Sequence, residues 1–115
     1  AIHASNALTA MYIATGQDTA CVAENSVGHF TVEKVDDGIT WRLTLPSMTV
    51  GTVGGGTRLN QQQQNLQLLG CDSSEHSSRK LAEIIASAAL GLEISLGSAI
   101  MSHTWTSAHM KYGRK

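Results

Sequence analysis

The stretch GHFTVEKVDDGITWRLTLP, residues 28–46, decides the fold class. Two runs rich in β-formers, 28–35 and 39–46, flank Asp37-Gly38, a dipeptide suited to a tight turn. This predicts a β-hairpin. On its second strand Trp41, Leu43 and Leu45 share one face, and Arg42 and Thr44 share the other. Pro46 has no N–H for the ladder and ends the pairing. Helical patterns lie on both sides, so the expected fold is α+β, with helices packed on a small antiparallel hairpin.

Upstream, IHASNALTAMYIAT (2–15) brings apolar residues back at three- and four-residue steps, which predicts a helix. Gly16 follows as its stop. Downstream, RLNQQQQNLQLL (58–69) predicts a short helix closed by Gly70, its glutamines forming a solvated face. A longer pattern runs from about Lys80 to about Ser102. Its expected apolar stripe is Leu81, Ile84, Ile85, Ala88, Leu92, Leu96, Ala99 and Ile100. No internal repeat or linker divides the chain, so it reads as one unit.

With 115 residues, 42% of them hydrophobic, the chain suffices for one small domain and is not a disordered tail. A net charge of −1 argues against a nucleic-acid or acidic-membrane surface. No membrane-spanning run and no secretory signal are expected. Cys21 and Cys71 fit neither a disulfide framework nor a zinc motif and read as reduced thiols. The apolar opening at Ala1, with no cap ahead of it, reads as an excerpt from a longer protein.

Between hairpin and third helix, SMTVGTVGGGT (47–57) carries glycines at 51, 54, 55 and 56. It is not a P-loop, because Thr57-Arg58 stands where Lys-Ser/Thr belongs, and it lacks the dinucleotide fingerprint. Ligand contact and a tight structural turn both fit it. The histidines offer no metal-ligand spacing. His103 and His109 would lie about 120° apart on a helix. Asp18, just past the first helix, and His109 are candidates for acid–base work, against the plainer readings of turn residue and exposed histidine.

Four segments shift that balance: ASNALTAMYIATGQD (4–18), LPSMTVGTVGGGT (45–57), LAEIIA (81–86) with GLEISL (91–96), and AHMKYGR (108–114). In that order they resemble the C-terminal part of the catalytic region of class I hydroxymethylglutaryl-CoA (HMG-CoA) reductase, over essentially the whole chain. The resemblance implies part of a large substrate-binding domain. The implied activity is NADPH-dependent reduction of HMG-CoA, through a mevaldehyde-level intermediate, to mevalonate and CoA. It also implies a homodimer or homotetramer with active sites at subunit interfaces.

On this resemblance Asp18 matches the family's catalytic Asp, hydrogen-bonded with a Lys and a Glu. His109 matches the His that protonates the departing CoA thiolate. Val53 and Gly54 match positions at the nicotinamide cofactor, and Arg114 an Arg near its 2′-phosphate. Leu96, Ala99 and Ile100 match an apolar patch on the hydroxymethylglutaryl group. The Thr-Thr-Glu-Gly-like and Asp-Ala-Met-Gly-Met-Asn-like segments that carry the family's Glu and Lys do not occur here. The expectation is therefore a C-terminal portion, inactive alone. Cys21-Val22-Ala23-Glu24 looks like bacterial members, which favours the cytoplasm over the cytosolic face of the endoplasmic reticulum. Lys115 stands where animal members carry a regulatory serine. The alternatives are a non-catalytic homologue or split-enzyme part that serves oligomerisation, and an unrelated nucleotide-binding module.

Overall fold

The computed structural model describes residues 2–72 and 75–101. Among these, helix α1 (Ala4–Thr15) and a 3-10 turn (Thr19–Cys21) lead into the short α2 (Val22–Asn25). Strands β1 (His29–Val35) and β2 (Gly38–Thr44) follow. A second 3-10 turn (Gly55–Arg58) then precedes α3 (Asn60–Leu68) and the long α4 (Ser77–Met101). The α+β expectation holds: helices accompany one two-stranded antiparallel sheet.

Helix α1 is central. It buries Ala4, Ala7, Leu8 and Tyr12 against Leu81, Ile85 and Ala89 of α4 and Leu66 of α3, with Cys71 closing the cluster. Three of these nine residues are alanines, which lets the helices approach closely around the one ring among them, Tyr12. Both predicted glycine stops are real. Gly16 has φ 75°, and the Gln17 N–H reaches Tyr12 O at 2.8 Å. Gly70 has φ 72°, with Gly70 N–H on Gln67 O and Cys71 N–H on Leu66 O. Each is a Schellman-type close, in which the left-handed residue turns the chain back onto the orphan carbonyls.

The start of α1 has no local side-chain cap: His3 precedes it, and its ring pairs with the Asn6 side chain at 2.9 Å rather than with a helix N–H. The Glu93 carboxylate of α4 takes that place, accepting from the N–H groups of His3 and Ala4, the latter at 2.9 Å. Glu93 is only 1% exposed, so its charge is balanced by the positive end of the α1 dipole rather than by water.

Four expectations are corrected. First, Val35 pairs with Gly38, so Asp36-Asp37 forms the hairpin turn and Gly38 begins β2. Second, the buried face of α4 is Ser77, Leu81, Ile85, Ala89 and Glu93, at four-residue steps. Leu92 and Ile100 lie off that face, exposed, because Glu93 is drawn inward by the α1 amides. Third, the glutamine-rich helix is not solvated all along its polar side: Gln62, half-buried, and Asn65 donate to Ile13 O and Ala14 O in the last turn of α1, while Gln61, Gln63 and Gln64 are exposed. Fourth, by length and composition Ser77–Ile100 is apolar enough to cross a membrane. Its apolarity comes from alanines, leucines and isoleucines interrupted by Ser, Gly and Glu, which no unbroken run reveals. In this fold one stripe of it packs on α1.

The hairpin touches the helices mainly through its apolar face. Phe30 and Trp41 stack at 5.7 Å, and a Cβ on Gly97 of α4 would stand 3.0 Å from the Trp41 ring. A two-stranded ribbon is marginal alone, so this seat on α4 sets where the glycine-rich segment leaves the hairpin.

Candidate functional site

The C-terminal end of α1 is where Asp18, Val53 and Gly54 come together. The chain turns there through Gly16, Gln17 and Asp18, and the glycine-rich segment lies against it. The two backbones are in direct contact. A Cβ on Gly16 would sit 2.5 Å from Gly56 C and O, and φ is already left-handed. Only glycine satisfies both demands.

Two side-chain amides hold the glycine-rich segment in the manner of a missing strand. Asn25 Oδ1 accepts from Thr49 N–H at 3.0 Å, and Asn25 Nδ2 donates to Ser47 O. Asn25 is itself fixed by the Tyr12 hydroxyl at 2.7 Å. Two residues on, Gln17 Nε2 donates to Gly51 O and Gln17 Oε1 accepts from Gly51 N–H, both at 2.8 Å. Backbone groups outside a ladder must find partners elsewhere, and these amides supply them. Among the described residues no buried side-chain N or O lacks a partner.

Beyond Gly51 the chain adopts conformations that need glycine. Gly54 has φ 83° and ψ 176°, and Gly55 has φ 54°. The Thr57 hydroxyl and N–H both close onto Gly54 O. A Cβ on Gly51, Gly54 or Gly55 would meet nothing within 4 Å. Gly54 and Gly55 therefore serve backbone shape, and all three glycines leave an open wall, unlike Gly16.

That wall faces Asp18. One cleft of about 310 Å³ is lined by Asp18, Gln17 and Cys21 on one side and Gly51, Val53 and Gly54 on the other. A second, of about 490 Å³, shares Asp18, Gln17 and Gly55 and adds Tyr12, Leu59 and Gln62. Asp18 is exposed. Its Oδ1 accepts from Ala20 N–H at 2.9 Å, so it caps the 3-10 turn, and its Oδ2 lies 3.7 Å from Cys21 Sγ. Partial desolvation and the Asp18 and Glu24 carboxylates push the Cys21 thiol up, which keeps it protonated. Burial raises Tyr12 as well, so both groups beside Asp18 are neutral at pH 7. A larger hollow of about 570 Å³ at the hairpin tip shares no residue with these clefts.

Of the residues singled out from sequence, the structure brings Asp18, Val53 and Gly54 to one cleft. Leu96, Ala99 and Ile100 lie on the last turns of α4 and line neither cleft; Leu96 and Ala99 are half-buried and Ile100 is exposed. His109 and Arg114 fall outside the described residues. Sequence reasoning did not single out Gln17, Asn25 or Glu93. A trace existed for the first two: polar amides in an irregular segment, close to a glycine-rich stretch that no strand could satisfy.

With this geometry in view, comparison with known proteins is direct. The family model for hydroxymethylglutaryl-coenzyme A reductase matches residues 1–114. The 3-hydroxy-3-methylglutaryl-coenzyme A reductase of Methanocaldococcus jannaschii is 41% identical over 112 residues, covering 97% of this chain and 27% of the relative. That of Aeropyrum pernix is 46% identical over 116 residues, covering 97% and 28%. Reductase 3 of Hevea brasiliensis is 46% identical over 119 residues, covering 97% and 20%. The chain belongs to the hydroxymethylglutaryl-coenzyme A reductase family. It spans between a fifth and just over a quarter of the length of these relatives.

Proposed function

We propose that the chain is the C-terminal portion of the catalytic region of a longer polypeptide that reduces HMG-CoA to mevalonate and CoA with NADPH. One observation carries this reading: Asp18 faces the Val53–Gly54 stretch across a single cleft. The residues present suit a nicotinamide cofactor. The wall made by Gly51, Gly54 and Gly55 carries no side chain, so a flat ring can approach the backbone. Val53, 85% exposed, offers an apolar contact at the mouth. Arg114 supplies a guanidinium for a 2′-phosphate.

When bound, the reduced nicotinamide supplies the hydride equivalents of the reduction. The chain's own groups handle protons. Asp18 presents its carboxylate to the cleft while the Ala20 N–H fixes its orientation. There it joins a Lys and a Glu supplied by residues outside this chain and stabilises charge developing on the substrate oxygen. His109 donates a proton to the departing CoA thiolate, so that CoA leaves as a thiol. Leu96, Ala99 and Ile100 form the apolar wall for the hydroxymethylglutaryl group in the assembled enzyme. Assembly as a homodimer or homotetramer belongs to the same reading, and the exposed Leu92 and Ile100 give α4 an apolar edge for it to cover.

The test uses the complete polypeptide that bears this chain. His109→Gln lowers turnover by about 100-fold or more, on the scale of general acid catalysis, with the melting temperature unchanged. Asp18→Asn does the same. Unchanged turnover in either variant removes that residue's role. Turnover by the 115 residues alone removes the reading of an incomplete catalytic set.

A further inference from the structure

We propose that Gln17 is a positioning residue: it sets the spacing between Asp18 and the cofactor-facing glycine wall. The inference rests on the reading under Proposed function and deepens it.

Gln17 is held from both ends. Its N–H is fixed to Tyr12 O of α1 at 2.8 Å. Its carboxamide makes a closed two-bond pair with the backbone of Gly51 and a third bond, at 3.1 Å, to Thr15 O. All three acceptor and donor sites it uses are backbone groups, and the Gly51 pair joins positions 34 apart in sequence. Gln17 is directly followed by Asp18, and Gly51 lies two residues before Val53. The carboxamide is thus a strut of fixed length between the acid and the wall opposite. A turn cap alone would use the bond to Thr15 and leave Gly51 untouched. Crowding does not position Gly51 either, since a Cβ there would meet nothing.

The experiment measures steady-state kinetics of Gln17→Met and Gln17→Glu in the complete polypeptide. Methionine keeps the length and removes the three hydrogen bonds of the carboxamide, leaving the backbone bond to Tyr12 O. We expect kcat to fall about 100-fold, the scale of a misplacement near 1 Å, with KM for NADPH raised and KM for HMG-CoA little changed. Glutamate keeps one acceptor and, when ionised, turns its other oxygen on the carbonyls of Gly51 and Thr15. Protonation restores a donor. Held against the carbonyls of Gly51 and Thr15 and beside Asp18, the introduced carboxyl is raised above the usual carboxylate range. Turnover of Gln17→Glu relative to the unaltered enzyme should therefore recover as pH falls from about 8 to about 5.5, while Gln17→Met shows no recovery. Cys21, Tyr12 and Arg58 stand on the neighbouring segments in all three proteins, while Asp18 adjoins the introduced carboxyl, so like-charge coupling adds to the loss of Gln17→Glu at high pH and is relieved in the same direction as pH falls.

Gln17→Met within about threefold of the unaltered kcat, or identical pH profiles for the two variants, overturns the proposal. Should Gln17→Met fail to fold, the pH recovery of Gln17→Glu decides alone. An unaltered polypeptide that does not reduce HMG-CoA overturns the functional reading and this role with it. An active one with indifferent Gln17 variants overturns only the role of Gln17.

Discussion

The hairpin and the glycine-rich segment that leaves it are consecutive in the chain and are held in opposite ways. The hairpin satisfies its backbone within itself, in register from His29↔Thr44 to Val35↔Gly38, while most of its side chains face solvent. Residues 47–57 have no strand partner; Asn25 and Gln17 serve their backbone from the side. A ladder spreads stabilisation over many equivalent bonds and fixes every residue in one extended shape. Two clamps concentrate it, and they free Gly54 and Gly55 for backbone angles that a ladder excludes. The clamped region thereby gains an open wall beside Asp18, at the cost of depending on a few irreplaceable groups.

That difference can be broken from its most sensitive point downward. Gly16→Ala forces a left-handed alanine into the backbone of Gly56. It should cost about 3 kcal/mol or more, read as the shift of the denaturation midpoint. A loss below about 1 kcal/mol would mean that the two backbones separate freely. Asn25→Ala strips partners from Thr49 N–H, Ser47 O and the Tyr12 hydroxyl together. A cost of about 2 kcal/mol is expected, with faster amide exchange confined to the 47–51 stretch. Exchange that accelerates equally in the hairpin would show one cooperative unit. Thr31→Ala, on the exposed face of β1, should stay within about 0.5 kcal/mol. A loss as large as that of Asn25→Ala would erase the distinction.

The elements were legible because each announces itself locally. Gly16 and Gly70 end helices where a left-handed residue is needed, and alternation marks the strands. The hairpin turn slipped by one residue because Asp37-Gly38 matches a two-residue loop as well as Asp36-Asp37 does by composition. The face of α4 was misread at Glu93, since periodicity assigns an acid to solvent and cannot see an uncapped helix start 89 residues away. Gln17 and Asn25 were invisible for a related reason. A side-chain amide on distant backbone leaves no periodic trace. For Asp18, the plainer alternative to a catalytic role, a turn residue, describes its backbone bond, since it caps the 3-10 turn. Its place opposite Val53 and Gly54 came only with the fold, and its chemical role was suggested by the family's motifs.

The cap supplied by Glu93 also sets an order of events. The amides of His3 and Ala4 wait for a carboxylate 90 and 89 residues further along. At synthesis rates of about 5–20 residues per second, that delay is roughly 4–18 s. Throughout it, α1 has emerged with its amino end open to solvent and its apolar stripe lacking α4. Among the described helices, α1 is made before α4 and is completed only once α4 has been made.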